Sequence, residues 1–122
     1  MINNIFVVNK SNHAPTNNDF YIGRGSVLGN PYTSKPLDNT KAIYQATSRE
    51  DAIHSFRGYL NDNIETNDIP ITNMIDSMLE ALKTSHIYLV CYCKPLDCHG
   101  DEIHDHLFSK QVAEVMKNLT KK

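Results

Sequence analysis

Several features that would assign a function class at once are missing from this chain of 122 residues. It has no apolar run long enough to span a bilayer, and its first residues lack the basic region and the long apolar stretch of a signal peptide. Its formal net charge is -2, so it lacks the basic excess of proteins that bind duplex nucleic acid. We therefore expect a cytoplasmic protein that binds neither membranes nor duplex DNA or RNA.

Cysteine is scarce. The chain has three, an odd number, which argues against a disulfide framework and favours reduced thiols. The length is that of one domain, and the shares of hydrophobic residues (40%) and charged residues (21%) are ordinary for a globular protein. The sequence thus predicts one folded domain over residues 1–122, with a core of its own.

Short apolar runs alternate with longer amphipathic segments. The runs at residues 5–8, 20–22 and 87–92 are typical of strands, and the last has the composition of a strand buried on both faces. Three further segments repeat apolar residues at helical spacing; Ser48 is the predicted cap of the first, and the second is predicted to begin after a loop at residues 65–70. In the third, after the cysteines, the apolar stripe is Ile103, Leu107, Val112, Val115, Met116 and Leu119. This order predicts an α/β fold, a small Rossmann-like domain with a few-stranded, mainly parallel sheet covered by helices.

All three cysteines and a histidine fall where the last strand meets the third helix. Cys98 would lie at the helix N-terminus, where the dipole stabilises a thiolate, so it is a candidate nucleophile. His99 and Asp101 are the candidate acid and base. The structural alternative is that His99 caps the helix and Cys98 packs beneath it.

The same segment allows a metal site. Cys91 and Cys93 are two residues apart and share one side of a strand, and the loop that follows is short enough to fold back. Together with Cys98 and His99 they would form a sulfur-rich zinc site. The pairs are not C-x-x-C, however, and cysteine packs readily as a small hydrophobe. We predict no cofactor and keep zinc as the alternative.

Residues 23–31, G-R-G-S-V-L-G-N-P, are rich in glycine. Glycines let the backbone approach a ligand, while Arg24 and Ser26 offer charge and a hydroxyl to a phosphate or carboxylate. The loop is not a Walker A sequence, and Asn30-Pro31 blocks the helix that a Rossmann glycine loop opens. We predict an anion cradle. The predicted ligand-binding residues are Gly23, Arg24, Gly25, Ser26, Gly29, Asn30, Arg57 and Gly100. Arg24 and the amides of Gly25, Ser26 and Gly100 would hold the anion, whereas the favoured alternative for Arg57 is a solvated surface side chain.

Two stretches carry a family resemblance. Residues 21–32, Y-I-G-R-G-S-V-L-G-N-P-Y, and residues 89–101, L-V-C-Y-C-K-P-L-D-C-H-G-D, resemble the hallmarks of domain of unknown function 4326, a family frequent in phage and bacterial genomes. Phe56-Arg57 matches its central aromatic-arginine pair, and Tyr92 stands where tryptophan is usual. The resemblance implies that both motifs belong to one site. It also implies a phage context, with the host cytoplasm as the location, but no reaction.

The leading hypothesis is a protein that binds a nucleotide or another phosphorylated, sugar-containing small molecule between the glycine-rich loop and residues 98–100. Catalysis is left open, and an enzyme would hydrolyse or transfer at a glycosidic or phosphoryl centre. One alternative is a non-catalytic phage counter-defence protein that sequesters a nucleotide signal. Another is a structural zinc module for protein interaction. A homo-oligomer is a further open expectation.

Overall fold

The computed structural model describes residues 2–35, 37 and 42–120. Within them, the strands are β1 (Ile5–Asn9), β2 (Asp19–Tyr21), β3 (Tyr32–Thr33), β4 (Tyr44–Gln45) and β5 (Ile87–Cys91), with a short 3₁₀ turn at Lys10–Asn12. The helices are α1 (Arg49–Glu65), α2 (Ile69–Leu82) and α3 (Gly100–Thr120). None of these helices is long and apolar enough to cross a membrane.

The main sheet has the order β1-β5-β2, and β5 runs parallel to both neighbours. Ile5 lies opposite Ile87 on one side, and Phe20 lies opposite Leu89 on the other. Strands β3 and β4 form a separate parallel pair. A small parallel sheet combined with three helices is the α/β class that the sequence predicted.

Side-chain caps set two of the helix starts. Ser48 accepts a hydrogen bond from the amide of Asp51 at the start of α1, which confirms the predicted cap. Asp68 caps α2 in the same way through the amide of Ile71. Helix α2 begins at Ile69, before the predicted start, because Pro70 is accommodated in the first helical turn, where its missing N–H costs nothing.

The core lies between one face of the sheet and the three helices. Alternate residues of β5 point to it, as the period of two in a strand requires. Its members include Ile22, Ile87, Leu89 and Cys91 from the sheet side and Phe56, Leu60, Met78, Ile103 and Leu107 from the helices.

The other face of the sheet is less covered than the apolar run suggested. Phe6 stacks on Tyr88 with ring centroids 5.3 Å apart, and the ring of His13 lies 4.7 Å from Tyr88. Phe6 is exposed and Tyr88 is half-buried. The interpretation of residues 87–92 as a strand buried on both faces is therefore wrong at Tyr88, and Tyr92 lies beyond the strand and is exposed.

Helix α3 also departs from its predicted pattern. Ile103 and Leu107 are buried, but the rest of the apolar stripe, from Val112 to Leu119, is exposed. The cause is length: α3 has 21 residues, about 30 Å at the helical rise, whereas β5 has 5 residues, about 17 Å. The last turns of α3 extend past the sheet that would have covered them.

Candidate functional site

A cavity of about 510 Å³ lies beyond the carboxyl ends of β2 and β5. Residues that follow each of these strands line it, as does the first part of α1. Ligands of open α/β sheets bind at this edge, because the loops that leave parallel strands meet there. The cavity is therefore the candidate site.

The cavity brings the two predicted constellations together. Arg24 and Asn30 of the glycine-rich loop line it, and so do Cys98 and His99 before α3. The other predicted site residues do not line it. They are Gly23, Gly25, Ser26, Gly29, Arg57, Gly100 and Asp101.

The two sides of the cavity differ in burial, and we name them accordingly. The inner wall consists of Asn30, Thr33, Cys98 and His99, all buried. The outer wall consists of Lys35, Arg49, Tyr92, Leu96 and Asp97, all exposed. Arg24 is half-buried, so its exposure is intermediate between those of the inner and outer walls.

Arg24 is anchored by the loop that carries it. Its Nη1 donates to the carbonyl of Asn30 and, at 3.0 Å, to the carbonyl of Tyr32. Burial lowers the pKa of the guanidinium, but arginine remains charged in proteins. Its Nε and Nη2 make no hydrogen bond within the described residues, so these donors are the ones a ligand can use.

Asn30 holds the glycine-rich loop against α1. Its side chain is 8% exposed, with Nδ2 donating to the carbonyl of Ala52 at 3.1 Å and Oδ1 accepting from the amide of Tyr32 at 2.9 Å. Both ends of the amide are thus occupied by backbone groups. This placement gives Asn30 a structural task besides lining the cavity.

The glycine-rich loop is closed by its own hydrogen bonds. The hydroxyl and the amide of Ser26 both donate to the carbonyl of Gly23, at 2.6 and 3.1 Å. A Cβ on Gly29 would lie 2.6 Å from that same carbonyl oxygen, so only glycine fits there. Gly25 has a φ of 90° and is exposed. The amide of Ser26, which we expected to bind an anion, is already used within the loop.

His99 is fixed by the end of β2. Its Nε2 lies 2.6 Å from the carbonyl oxygen of Ile22, and because a carbonyl only accepts, Nε2 carries the proton. The ring is 6% exposed and meets Phe56 edge-on at 4.8 Å. Burial lowers the pKa of His99, so the imidazole is neutral near pH 7 with its lone pair on Nδ1.

Cys98 belongs to a cluster of thiols. Its Sγ lies 3.7 Å from the Sγ of Cys91 and accepts a hydrogen bond from the amide of Gly100 at 3.2 Å. Hydrogen bonds with Cys93 and Cys98 lower the pKa of Cys91, whereas those with Cys91 and Cys93, together with burial, raise the pKa of Cys98. The candidate nucleophile is therefore the thiol that ionises less readily.

Asp101 faces away from the cavity. Its Oδ1 accepts from Lys94 Nζ at 2.7 Å, and its Oδ2 accepts from the amide of Cys98 at 3.3 Å. It thereby closes the loop before α3. Gly100 lets that helix approach the sheet, because a Cβ there would lie 2.7 Å from Ile22 Cδ1 and 2.9 Å from Val7 Cγ1.

Arg57 lies outside the cavity. Its side chain is 65% exposed, and its Nε is 3.7 Å from Oε2 of Glu102 on α3. An exposed pair at this distance contributes little to stability. The two residues of the aromatic-arginine pair thus lie in different places: Phe56 is in the core and Arg57 is at the surface.

The zinc alternative has a partial geometric basis. Cys91 and Cys93 both contact Cys98, but the Nε2 of His99 is held by Ile22. Over the ranges that the structure describes, no group of three or more histidine, cysteine or acidic side chains is arranged to hold a metal ion. Zinc stays an alternative to the prediction of no cofactor.

The cations of the outer wall are not among the site residues predicted from the sequence. Lys35 follows β3, and Arg49 is the first residue of α1, where its Nε donates to the carbonyl of Asp97 at 2.9 Å. One signal pointed to Arg49: the first turn of a helix favours acidic residues, and a basic residue there opposes the dipole. Lys35 offered no comparable signal.

A comparison with known families fits these placements. The model of the family described as domain of unknown function DUF4326 matches residues 7–109. The chain belongs to this family. The DUF4326 match contains the glycine-rich loop, the cysteine-histidine segment and every residue that lines the cavity, and it ends at residue 109, within α3. No curated protein and no solved structure gave a significant match.

Proposed function

We propose that the cavity binds a nucleotide or another phosphorylated, sugar-containing small molecule. The observation that carries this proposal is the charge of the lining: Arg24, Lys35 and Arg49 line a space to which the described residues contribute one acidic side chain, Asp97. An excess of cations around a cavity attracts an anion, and guanidinium groups suit phosphate because they can donate two parallel hydrogen bonds.

The apolar part of the lining supports a ligand with a ring. Tyr92 and Leu96 are 57% and 61% exposed at the rim, and Ile53 of α1 also lines the cavity. Flat aromatic ligands gain energy by stacking on a tyrosine and by covering exposed apolar carbon. A cavity of about 510 Å³ is in the size range of small-molecule sites. Cations with an adjacent apolar rim match a nucleotide better than an inorganic anion.

Capture without chemistry is the second candidate, and the placement of the predicted catalytic groups favours it. His99 is neutral with its Nε2 held by a carbonyl, and Asp101 lies outside the cavity, bound to Lys94. Asp101 is therefore not placed to act on a ligand in the cavity, and His99 offers it only the lone pair of Nδ1. In this form the protein would act in the cytoplasm as a sequestering protein, in line with a phage counter-defence role.

The test is calorimetric titration of the full chain with AMP, GMP, CMP, UMP and ribose 5-phosphate, with adenosine as the unphosphorylated control. We expect at least one phosphorylated compound to bind, with adenosine about tenfold weaker or more, because one charge-assisted contact is worth about 1.5–3 kcal/mol. Absence of binding by every phosphorylated compound at millimolar concentration would overturn the proposal.

A matched pair of variants on α1 locates the site. Arg49→Gln removes a cation of the outer wall and should weaken binding about tenfold or more. Arg57→Gln removes an exposed cation of the same helix outside the cavity and should change affinity less than about twofold. Equal losses in both variants would place the ligand elsewhere. Chromatography of the bound compound after denaturation separates capture, which returns it unchanged, from catalysis.

A further inference from the structure

Helix α3 carries a row of exposed apolar side chains beyond the core. Phe108, Val112, Val115 and Leu119 are 47%, 37%, 39% and 65% exposed. Their spacing of four, three and four residues places them on one line along the helix, the pattern of a helix that packs against another helix. Contiguous apolar surface of this kind marks a contact site rather than ordinary surface.

The row continues onto the edge of the sheet. Ile2 and Phe6 border one groove together with His104 and Phe108, and the ring of His104 lies over Phe108 with centroids 6.1 Å apart. On its other side, Val115 borders a groove between α2 and α3 that Ile2 also lines. The apolar area is thus one surface, which we call the α3 surface. Its members are Ile2, Phe6, Phe108, Val112, Val115 and Leu119.

We propose that the α3 surface binds a second copy of this chain, with the two α3 helices antiparallel. The spacing four-three-four reads the same in both directions. Around a two-fold axis between residues 113 and 114, Phe108 therefore meets Leu119 of the second copy, and Val112 meets its Val115. A symmetric dimer requires such self-complementarity, whereas binding of an unrelated partner does not require it.

The charges along α3 agree with this arrangement. The positions that flank the row carry no charge: Ser109, Gln111 and Asn118 are polar, and Met116 is apolar. By helical spacing, Lys110 and Glu114 lie away from the row, so no like charges meet across the axis. Few side chains contribute from each copy, which predicts a dimer that dissociates at low concentration rather than an obligate one. The surface shares no residue with the cavity, so this proposal stands apart from the proposed function.

The first measurement is the mass of the full chain in solution, by analytical ultracentrifugation over a wide concentration range. We expect the mass to rise from that of one chain, 13.8 kDa, to twice that value as the concentration increases. A single-chain mass at every concentration overturns the proposal.

Two double variants test the antiparallel pairing. Val112→Lys with Val115→Lys places four lysines against one another and should weaken association about tenfold or more, because like charges that face each other repel. Val112→Glu with Val115→Lys places each glutamate opposite a lysine of the other copy and should restore association. In a parallel pair each residue meets its own copy, so the Glu-Lys variant would stay dissociated, and that result overturns the antiparallel arrangement.

Controls separate docking from folding. Both valines are exposed in the single chain, so neither double variant should change the circular dichroism spectrum or the melting temperature of the monomer by more than a few degrees. Leu96→Lys, at an exposed apolar residue of the outer wall, should leave association unchanged. An equal loss of association in Leu96→Lys would overturn the α3 surface as the site of contact.

Discussion

The two walls of the cavity contrast in how their polar groups are used. On the inner wall, the amide of Asn30 and the Nε2 of His99 are bonded to backbone of the same chain and are almost fully buried. On the outer wall, Lys35 and Arg49 are exposed, and the Nη atoms of Arg49 make no hydrogen bond within the described part of the chain. The motifs that attract attention in the sequence thus build the cavity, while most of the exposed charges that line it belong to less conspicuous residues.

Arg24 is a charged residue of the lining that the glycine-rich loop holds in place. Its Nη1 ties two loop carbonyls together, which fixes the guanidinium, and its other donors remain for a ligand. A cation that is already held loses less conformational freedom when a ligand binds. Asn30 of the inner wall therefore helps to fix Arg24 in place, and the outer wall adds exposed charge.

The largest effect is expected at Asn30. Asn30→Ala leaves the amide of Tyr32 without a partner and the carbonyl of Ala52 with only its bond within α1, which should lower the free energy of unfolding by about 2–3 kcal/mol. Ser34→Ala, beside the cavity but exposed, should change it by less than about 0.5 kcal/mol. Urea unfolding measures both. Equal stabilities would remove the contrast between the walls.

The next largest effect on stability is expected from substitutions at two glycines. Gly100→Ala brings a methyl group against Ile22 and Val7 and should cost about 1–3 kcal/mol in the free energy of unfolding. Gly58→Ala on α1 meets nothing within 4 Å and should stabilise the chain by about 0.5–1 kcal/mol, because alanine favours a helix. In thermal unfolding, the melting temperature should fall for Gly100→Ala and rise for Gly58→Ala. A neutral Gly100→Ala would mean that α3 can shift away from the sheet.

The smallest effect concerns pH. Burial lowers the pKa of His99 in the folded chain, so below about pH 6.5 the unfolded chain binds a proton that the folded chain does not. The contribution of His99 to the free energy of unfolding should be constant above neutral pH and fall by up to about 1.4 kcal/mol per pH unit as the pH drops below 6.5. His99→Gln should flatten this slope in urea titrations between pH 8 and pH 5.

A second histidine makes the pH experiment specific. His106, half-buried on α3, also has a pKa lowered by burial, so His106→Gln should remove a separate part of the slope. A slope in His99→Gln equal to that of the natural chain would show that the inner wall admits a charged imidazole.

Local patterns in the sequence predicted many of the helices and strands. The Ser48 cap and the apolar stripe of α1 predicted that helix, and the apolar run at residues 87–92 predicted β5. The pairing of β3 with β4 could not be read in this way, because each has two residues and their partnership depends on contacts across a loop. The exposure of Val112 and Leu119 likewise depends on where the sheet ends, which periodicity does not encode.

The site was harder to predict than the fold. Spacing and residue type indicated that the glycine-rich loop and residues 98–99 belong together, and both line the cavity. The sequence did not show that Asn30 bonds to backbone, because an amide serves a ligand or a carbonyl equally well. Nor did it place Arg49 beside Tyr92, since such neighbours meet only when the chain folds.

Ile22 joins the two signature stretches into one mechanical unit. Its amide donates to the carbonyl of Val90 in β5 at 2.9 Å, its carbonyl accepts from His99, and its Cδ1 would lie 2.7 Å from a Cβ on Gly100. The glycine-rich loop and the start of α3 are thus held at the same residue and cannot separate without breaking these bonds. None of these bonds involves the outer wall, so the outer wall can move while the two signature stretches stay joined.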